Sequence, residues 1–359
     1  MNRASTILEE VGPLDDAAMA AASRQLDRLT KPAGSLGRLE ELVVWLAGVT
    51  GRSAPLLERR AVIVAAADHG VASRHAVLAY PAEVTAQMVA NFVAGGAAIS
   101  VLARAAAARL IVVDAGVASP IPPVVAEPGV RLVRTPIRAG SADMTLGPAL
   151  SAADVAAAIE VGIAVAEDEI EAGLDVLAIG DMGIGNTTAA SAITAALTGL
   201  PTTAVTGRGT GIDEHGWERK VSVIDRALEV NRASLGDPLG VLAAVGGLEI
   251  AVLVGVIEAA AGACVPVVLD GFITSAAALV VCELNPRIAP RLIAAHRSAE
   301  PGHTTILERL GLRPLLELDL RLGEGSGAAL ALLVLDAASR IRDEMATFDA
   351  ARVSRRTVL

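Results

Sequence analysis

Residues 180–188 read GDMGIGNTT, a glycine-rich turn between the apolar run 176–179 and a helix predicted over 186–197. A helix start leaves backbone N–H groups unpaired and carries partial positive charge, so such a turn suits an anion. Gly180 and Gly185 have the separation of the outer glycines of a nucleotide P-loop, and Thr187 fits its hydroxyl position. Asn186 stands where that motif has lysine, which argues against a magnesium triphosphate and for a single phosphate. A second glycine-rich turn, GRGTGID at 207–213, precedes a helix that Asp213 can cap. Lys220 lies in that helix, either as the counter-charge that the first turn lacks or as a solvated lysine.

Glu324 is the only charge in the loop GEGSG at 323–327, just before an apolar helix from Ala328. A carboxylate on bare backbone at such a place is a general-base candidate, because desolvation moves its pKa toward neutrality. Leu316, Leu318, Leu320 and Leu322 alternate with charged residues ahead of it, which predicts a half-exposed strand. A helix is expected over 80–98, opened by Pro81. Tyr80, Glu83, Gln87 and Asn91 share one face of it, as a solvated stripe or as the wall of a substrate pocket. The five histidines are dispersed, and the nearest pair, His296 and His303, is split by Pro301. No metal-ligand spacing and no nucleophile–histidine pattern stands out, so no metal and no cofactor is expected.

These groups need a scaffold, and the chain supplies an α/β pattern. Short apolar runs at 61–67, 110–113, 176–179 and 265–269 alternate with Ala-rich helical stretches, as in a parallel sheet covered on both faces. Each run ends in an aspartate followed closely by glycine: Asp68, Asp114, Asp181 and Asp270. Ligands of open parallel sheets bind outside the carboxyl ends of the strands, so a shared acidic, Gly-lined crevice is expected there. The first 50 residues read as helices, one of them with Ser35 as cap and Gly48 as stop. The expected organisation is N-terminal helices over 1–60, a catalytic domain over 61–327, and a C-terminal helix and tail over 328–359. The two ends would join in a small helical domain.

Composition narrows the partners. The 359 residues carry a net charge of −10, with 2% aromatics, which speaks against nucleic acid and leaves a small molecule or a second copy of the chain. Although 53% of residues are hydrophobic, the longest uncharged run, 182–207, is broken by glycines and Pro201, so no membrane span is expected. Residues 1–16 hold one arginine and four acids and no apolar signal core, and the basic tail at 352–356 reads as a frayed end. Cys264 and Cys282 are expected as two buried thiols in a reducing cytoplasm.

Taken together the motifs resemble the nicotinate-nucleotide–dimethylbenzimidazole phosphoribosyltransferase family. The matching stretches are KPAGSLGRLE at 31–40, ADHG at 67–70, YPAEVTAQMV at 80–89 with Gly95 and Gly96, the turns at 180–188 and 207–213, DGF at 270–272, HRSAEPGH at 296–303 and GEGSG at 323–327. The resemblance implies transfer of a 5-phosphoribosyl group from nicotinate mononucleotide to 5,6-dimethylbenzimidazole. It implies inversion at the sugar, no metal, and a Rossmann-like fold with a small helical domain in a cytoplasmic homodimer. By position, Glu324 matches the general base. Gly183, Ile184, Gly185 and Asn186 match the phosphate turn, and Lys220 a lysine beside it. Asp181 stands where many members carry glutamate, facing ribose or base. Tyr80, Glu83 and Gln87 fall in the segment lining the base pocket.

Overall fold

The computed structural model describes residues 11–75, 80–209 and 211–354. Thr210 of the second glycine-rich turn and the last two arginines of the basic tail lie outside them. Among the described residues six parallel strands form one sheet: β1 (Arg60–Ala67), β2 (Ala108–Gly116), β3 (Val130–Arg134), β4 (Val176–Met182), β5 (Val267–Leu269) and β6 (Leu292–Ala294). Their order is β3-β2-β1-β4-β5-β6, so the sheet is Rossmann-like and reverses direction of growth between β1 and β4. Four strands coincide with the apolar runs of the sequence. β1 is buried along its whole length, which explains why it shows no alternation.

Nine helices frame the site: α1 (Asp16–Leu26), α2 (Arg38–Thr50), α3 (Val84–Val93), α4 (Ala152–Glu171), α5 (Asn186–Thr198), α6 (Glu214–Val230), α7 (Leu248–Gly262), α8 (Phe272–Leu284) and α9 (Ser326–Glu344). Alternate β1 side chains feed two apolar clusters. Ile63 and Ala65 join the cluster that holds α4, α5, α7 and α8. Val62 and Val64 join the cluster that holds α1, α2, α3 and α9. The chain ends lie side by side: the Thr30 N–H donates to Ala346 O at 3.0 Å and the Phe348 N–H to Arg28 O at 2.9 Å.

Several local expectations are corrected. α2 has no side-chain cap; Gly37 occupies the cap position and Gly51 ends the helix. Gly48 lies inside it, where any side chain would strike the Met19 sulfur, so it serves the α1–α2 contact instead of a stop. The helix expected over 80–98 is shorter, α3 alone, with a second helix at Ala98–Ala105. The apolar stretch Val84–Ala105 is long enough by composition to cross a membrane, yet it is broken in two and half of it is buried in this fold. The segment 316–322 makes only a bridge at Leu316 and otherwise no strand. Leu320 and Leu322 border a cavity, as do Asp319 and Arg321, while Leu318 is exposed. Cys264 is exposed in the turn after α7, while Cys282 is buried.

Candidate active site

β4 delivers the glycine-rich turn to the carboxyl edge of the sheet, and α5 starts directly after it. Gly185, at φ +102°, opens α5 without a side-chain cap, and the Asn186 N–H closes the turn on Gly183 O at 3.1 Å. A side chain at Gly183 would collide with Ala67 O, so the turn nests against the end of β1. The Ile184 N–H does not point to the cavity; it donates to Thr85 Oγ1 at 3.2 Å. The Thr85 hydroxyl in turn donates to Asp68 Oδ1 at 2.6 Å. Thr85 thereby ties α3, the end of β1 and the glycine-rich turn together. Thr85→Val keeps the shape and strands both partners, so a loss of about 1–3 kcal/mol of stability is expected, largely restored in Thr85→Ser. Denaturant unfolding of the three proteins checks this; equal midpoints contradict it.

Lys220 arrives from α6 but stays behind the turn. It is 1% exposed, and its ammonium donates to Thr187 Oγ1 at 2.9 Å and Gly207 O at 3.3 Å. Burial lowers its pKa to about 8, against the attraction of Glu300. Thr187, not the lysine, borders the cavity. Glu300 closes the second glycine-rich turn from the other side, accepting the Gly209 N–H at 2.8 Å. Asp213 caps α6 through the Gly216 N–H at 2.7 Å, as expected.

The loop of Glu324 rests flat on β4. A methyl group at Gly180 would sit 2.5 Å from the backbone carbonyl of Glu324 and from the Gly325 nitrogen. That close approach explains a glycine inside a buried strand. Glu324 itself has φ +65°, a left-handed backbone that costs a non-glycine residue about 1–3 kcal/mol. Strain of this kind persists where surrounding contacts hold it. Here the Ser326 hydroxyl donates to Gly323 O at 2.7 Å, and Asp270 accepts the Gly325 N–H at 3.1 Å and the Ala328 N–H at 2.9 Å. Burial pushes the Glu324 carboxyl up to about 7, with a further push from Asp270 and an opposing N–H from Ile99. Its Oε2 is buried with no hydrogen-bond partner among the described residues.

The four strand-end aspartates divide their work. Asp181 borders the cavity and accepts from Asn186 Nδ2 at 2.9 Å, while its other oxygen has no partner among the described residues. Burial, then the charges of Asp270 and Glu249, raise it well above the usual carboxylate range. Asp270 lies beneath the Glu324 loop, Asp68 holds Thr85, and Asp114 accepts the Val117 N–H of its own turn at 2.9 Å. The shared crevice is therefore narrower than the sequence pattern suggested. Under it His69 Nε2 meets Glu249 Oε1 at 2.7 Å, both fully buried. His303 accepts the Ser298 N–H at 3.0 Å, and burial lowers it to about 3, so it is neutral.

The cavity encloses about 640 Å³ between the anion turn and the segment 319–324. Asp181, Gly183, Ile184, Asn186, Tyr80 and Glu324 all border it, and Gly185 lies just behind as the cap of α5. Glu83 and Gln87 are exposed and outside it. The wall from α3 is made one residue further on, by Val84 and Met88, and Leu320 and Leu322 line the same cavity. An apolar slot of this kind suits a flat ring. His296, Glu300 and Arg321 also border the cavity. Arg321 came into view only as one charge of an alternating segment, and Thr85 as one polar residue of an apolar helix. Among the described residues no group of three or more His, Cys, Asp and Glu side chains has the geometry of a metal site.

Comparison with known proteins places this geometry among relatives. Residues 11–353 match a family model described as phosphoribosyltransferase. The nicotinate-nucleotide–dimethylbenzimidazole phosphoribosyltransferase of Roseiflexus sp. (strain RS-1) is 55% identical over 354 residues, 99% of each chain. The protein of the same name from Desulforudis audaxviator is 53% identical over 347 residues, 97% of each chain. A crystal structure of CobT from Thermus thermophilus superposes with a TM-score of 0.88 at 49% identity, covering 94% of this chain and 99% of that one.

Proposed function

The chain belongs to the nicotinate-nucleotide–dimethylbenzimidazole phosphoribosyltransferase family, and from that premise we propose how its cavity performs the transfer. It is an enzyme of cobalamin lower-ligand assembly, moving the 5-phosphoribosyl group of nicotinate mononucleotide onto 5,6-dimethylbenzimidazole. The products are α-ribazole 5′-phosphate and nicotinate. The single observation that carries the mechanism is Glu324: a buried carboxyl, poised near neutrality, with one oxygen unpaired at the cavity edge.

The donor's phosphate rests on the turn of Gly183, Ile184, Gly185 and Asn186, with the Thr187 hydroxyl beside it. Lys220 supplies positive charge from behind Thr187, and Arg321 supplies it from the open side. Asp181, with Asn186, faces the ribose. The benzimidazole enters the slot of Val84, Met88, Leu320 and Leu322, with Tyr80 at its rim. Glu83 and Gln87 take no part within one chain. One ring nitrogen attacks C1′ opposite the pyridinium, which inverts the sugar. The other nitrogen gives its proton to Glu324, and nicotinate leaves with the electron pair of the C1′–N bond, losing its ring charge. The proton on Glu324 then passes to water. The carboxyl groups around the cavity favour the positive charge that develops at C1′. The enzyme is cytoplasmic on this view and works as a homodimer on small-molecule substrates.

Incubation with nicotinate mononucleotide and a panel of bases, read by mass, tests the assignment. A nucleotide of dimethylbenzimidazole is expected together with stoichiometric nicotinate; nicotinate release without a ribosylated base contradicts transfer. The pH profile is a second expected result. Glu324 must be ionised, so kcat/KM for the nucleotide rises through about 7. Lys220 must be protonated, so kcat/KM falls through about 8. A bell is expected, and Lys220→Met should lose the basic limb. A basic limb unchanged in that variant would assign it to another group.

A further inference from the structure

Glu324 cannot hold its place alone, since its backbone is left-handed and its loop is otherwise glycine and serine. The support comes from a residue 54 positions earlier at the end of β5. Asp270 is 0% exposed and spends both oxygens on the loop. Its Oδ2 accepts the Gly325 N–H and its Oδ1 the Ala328 N–H, with a further hydrogen bond from the Gly327 backbone. These donors lie immediately after Glu324, so the carboxylate grips the backbone that aims it. A side chain at Gly327 would collide with the His296 ring, so the backbone can reach Asp270 only there as glycine. We propose that Asp270 is a positioning residue for the reaction: it fixes the loop that presents Glu324 and sets the charge that Glu324 feels. This rests on Glu324 acting as the base.

The charged and titratable groups facing this pair are few. His296 Nε2 lies 3.7 Å from Asp270 Oδ1, and buried Asp181 feels the charge of both Asp270 and Glu324. Burial raises the Asp270 carboxyl above its usual range, while His296 and the three backbone N–H groups favour its ionised form. Both Asp270 oxygens accept N–H groups of the loop, and its charge is one of the causes that raise Glu324.

Asp270→Asn is nearly isosteric but must turn an amide N–H toward one of the backbone donors. Its kcat is expected to fall about tenfold or more, with both KM values held within about twofold. The acid limb of its pH profile should move to lower pH, because Glu324 ionises more easily once the neighbouring charge is gone. In a Glu324→Gln background the same substitution should change residual turnover by less than about twofold. A purely structural role predicts none of this pattern: unchanged KM with a shifted limb and no added loss supports positioning. A loss carried by KM, an unmoved limb, or additive losses overturns it. Full turnover in Glu324→Gln alone would instead remove the premise, and that result is independent of Asp270. Should Asp270→Asn not fold, Ser326→Ala releases the same loop from Gly323 O; lower kcat at constant KM supports the proposal, and intact kcat overturns it.

Discussion

Glu324→Gln is expected to lower turnover by about 10²–10⁴-fold while nucleotide affinity stays within about threefold. The amide fills the same volume, and its oxygen can still accept the Ile99 N–H that the carboxyl accepts. What it lacks is the ability to take the proton from the acceptor ring. The ratio between the two enzymes should depend on pH. Below about 7 the wild-type carboxyl is itself increasingly protonated, so its advantage shrinks as pH falls. Titration calorimetry with nicotinate mononucleotide, together with product formation from pH 6 to about 8, separates binding from chemistry. Near-normal turnover in the variant would take Glu324 out of the mechanism.

Gly180→Ala should have the second large effect, although Gly180 touches no substrate in the proposed arrangement. The added methyl would meet backbone atoms of Glu324 and Gly325 at 2.5 Å, and neither is the movable tip of a side chain. Gly180 is also an interior residue of β4, paired with Val64 of β1, so the strand cannot yield easily. The loop must therefore shift. Overpacking of this kind typically costs about 1–3 kcal/mol. A displacement of about 1 Å at a catalytic group can cost about 10²-fold in rate. Turnover and melting temperature should fall together, and a crystal structure of the variant should show the 323–325 loop lifted off β4. Wild-type turnover with the methyl in place would mean that the position of the loop is not critical.

The sequence disclosed those parts of the molecule whose signal is local. β1, β2, β4 and β5 stood out because both faces are buried, which makes their residues uniformly apolar. β3 was missed: it is a half-exposed edge strand with Arg131 and Arg134 in it. β6 was missed because three residues are too short for any period to show. The glycine-rich turn was legible since glycines, a preceding strand and a following helix fall within a dozen residues. The wall of the cavity was not. Val84 and Met88 have the chemistry of core residues, whereas Glu83 and Gln87 look purposeful and are exposed outside the cavity. Lys220 was visible as a charge, but nothing in its neighbourhood along the chain tells that it stops behind Thr187. The links that hold the site, Thr85 to Ile184 across 99 residues and Asp270 to Gly325 across 55, join distant segments that carry no shared pattern.

The cavity has a locked floor and an open roof. Its floor is strand-end backbone and buried acids, tied together by hydrogen bonds between distant segments. Its roof is Tyr80, Leu320 and Leu322, of which Tyr80 is 52% and Leu322 55% exposed. Exchanges at such exposed positions usually change stability by no more than about 0.5 kcal/mol. A lineage could thus acquire a taste for a different flat ring by ordinary drift at the rim. The sugar-phosphate half would be inherited unchanged, because any mutation there disturbs the sheet before it alters preference.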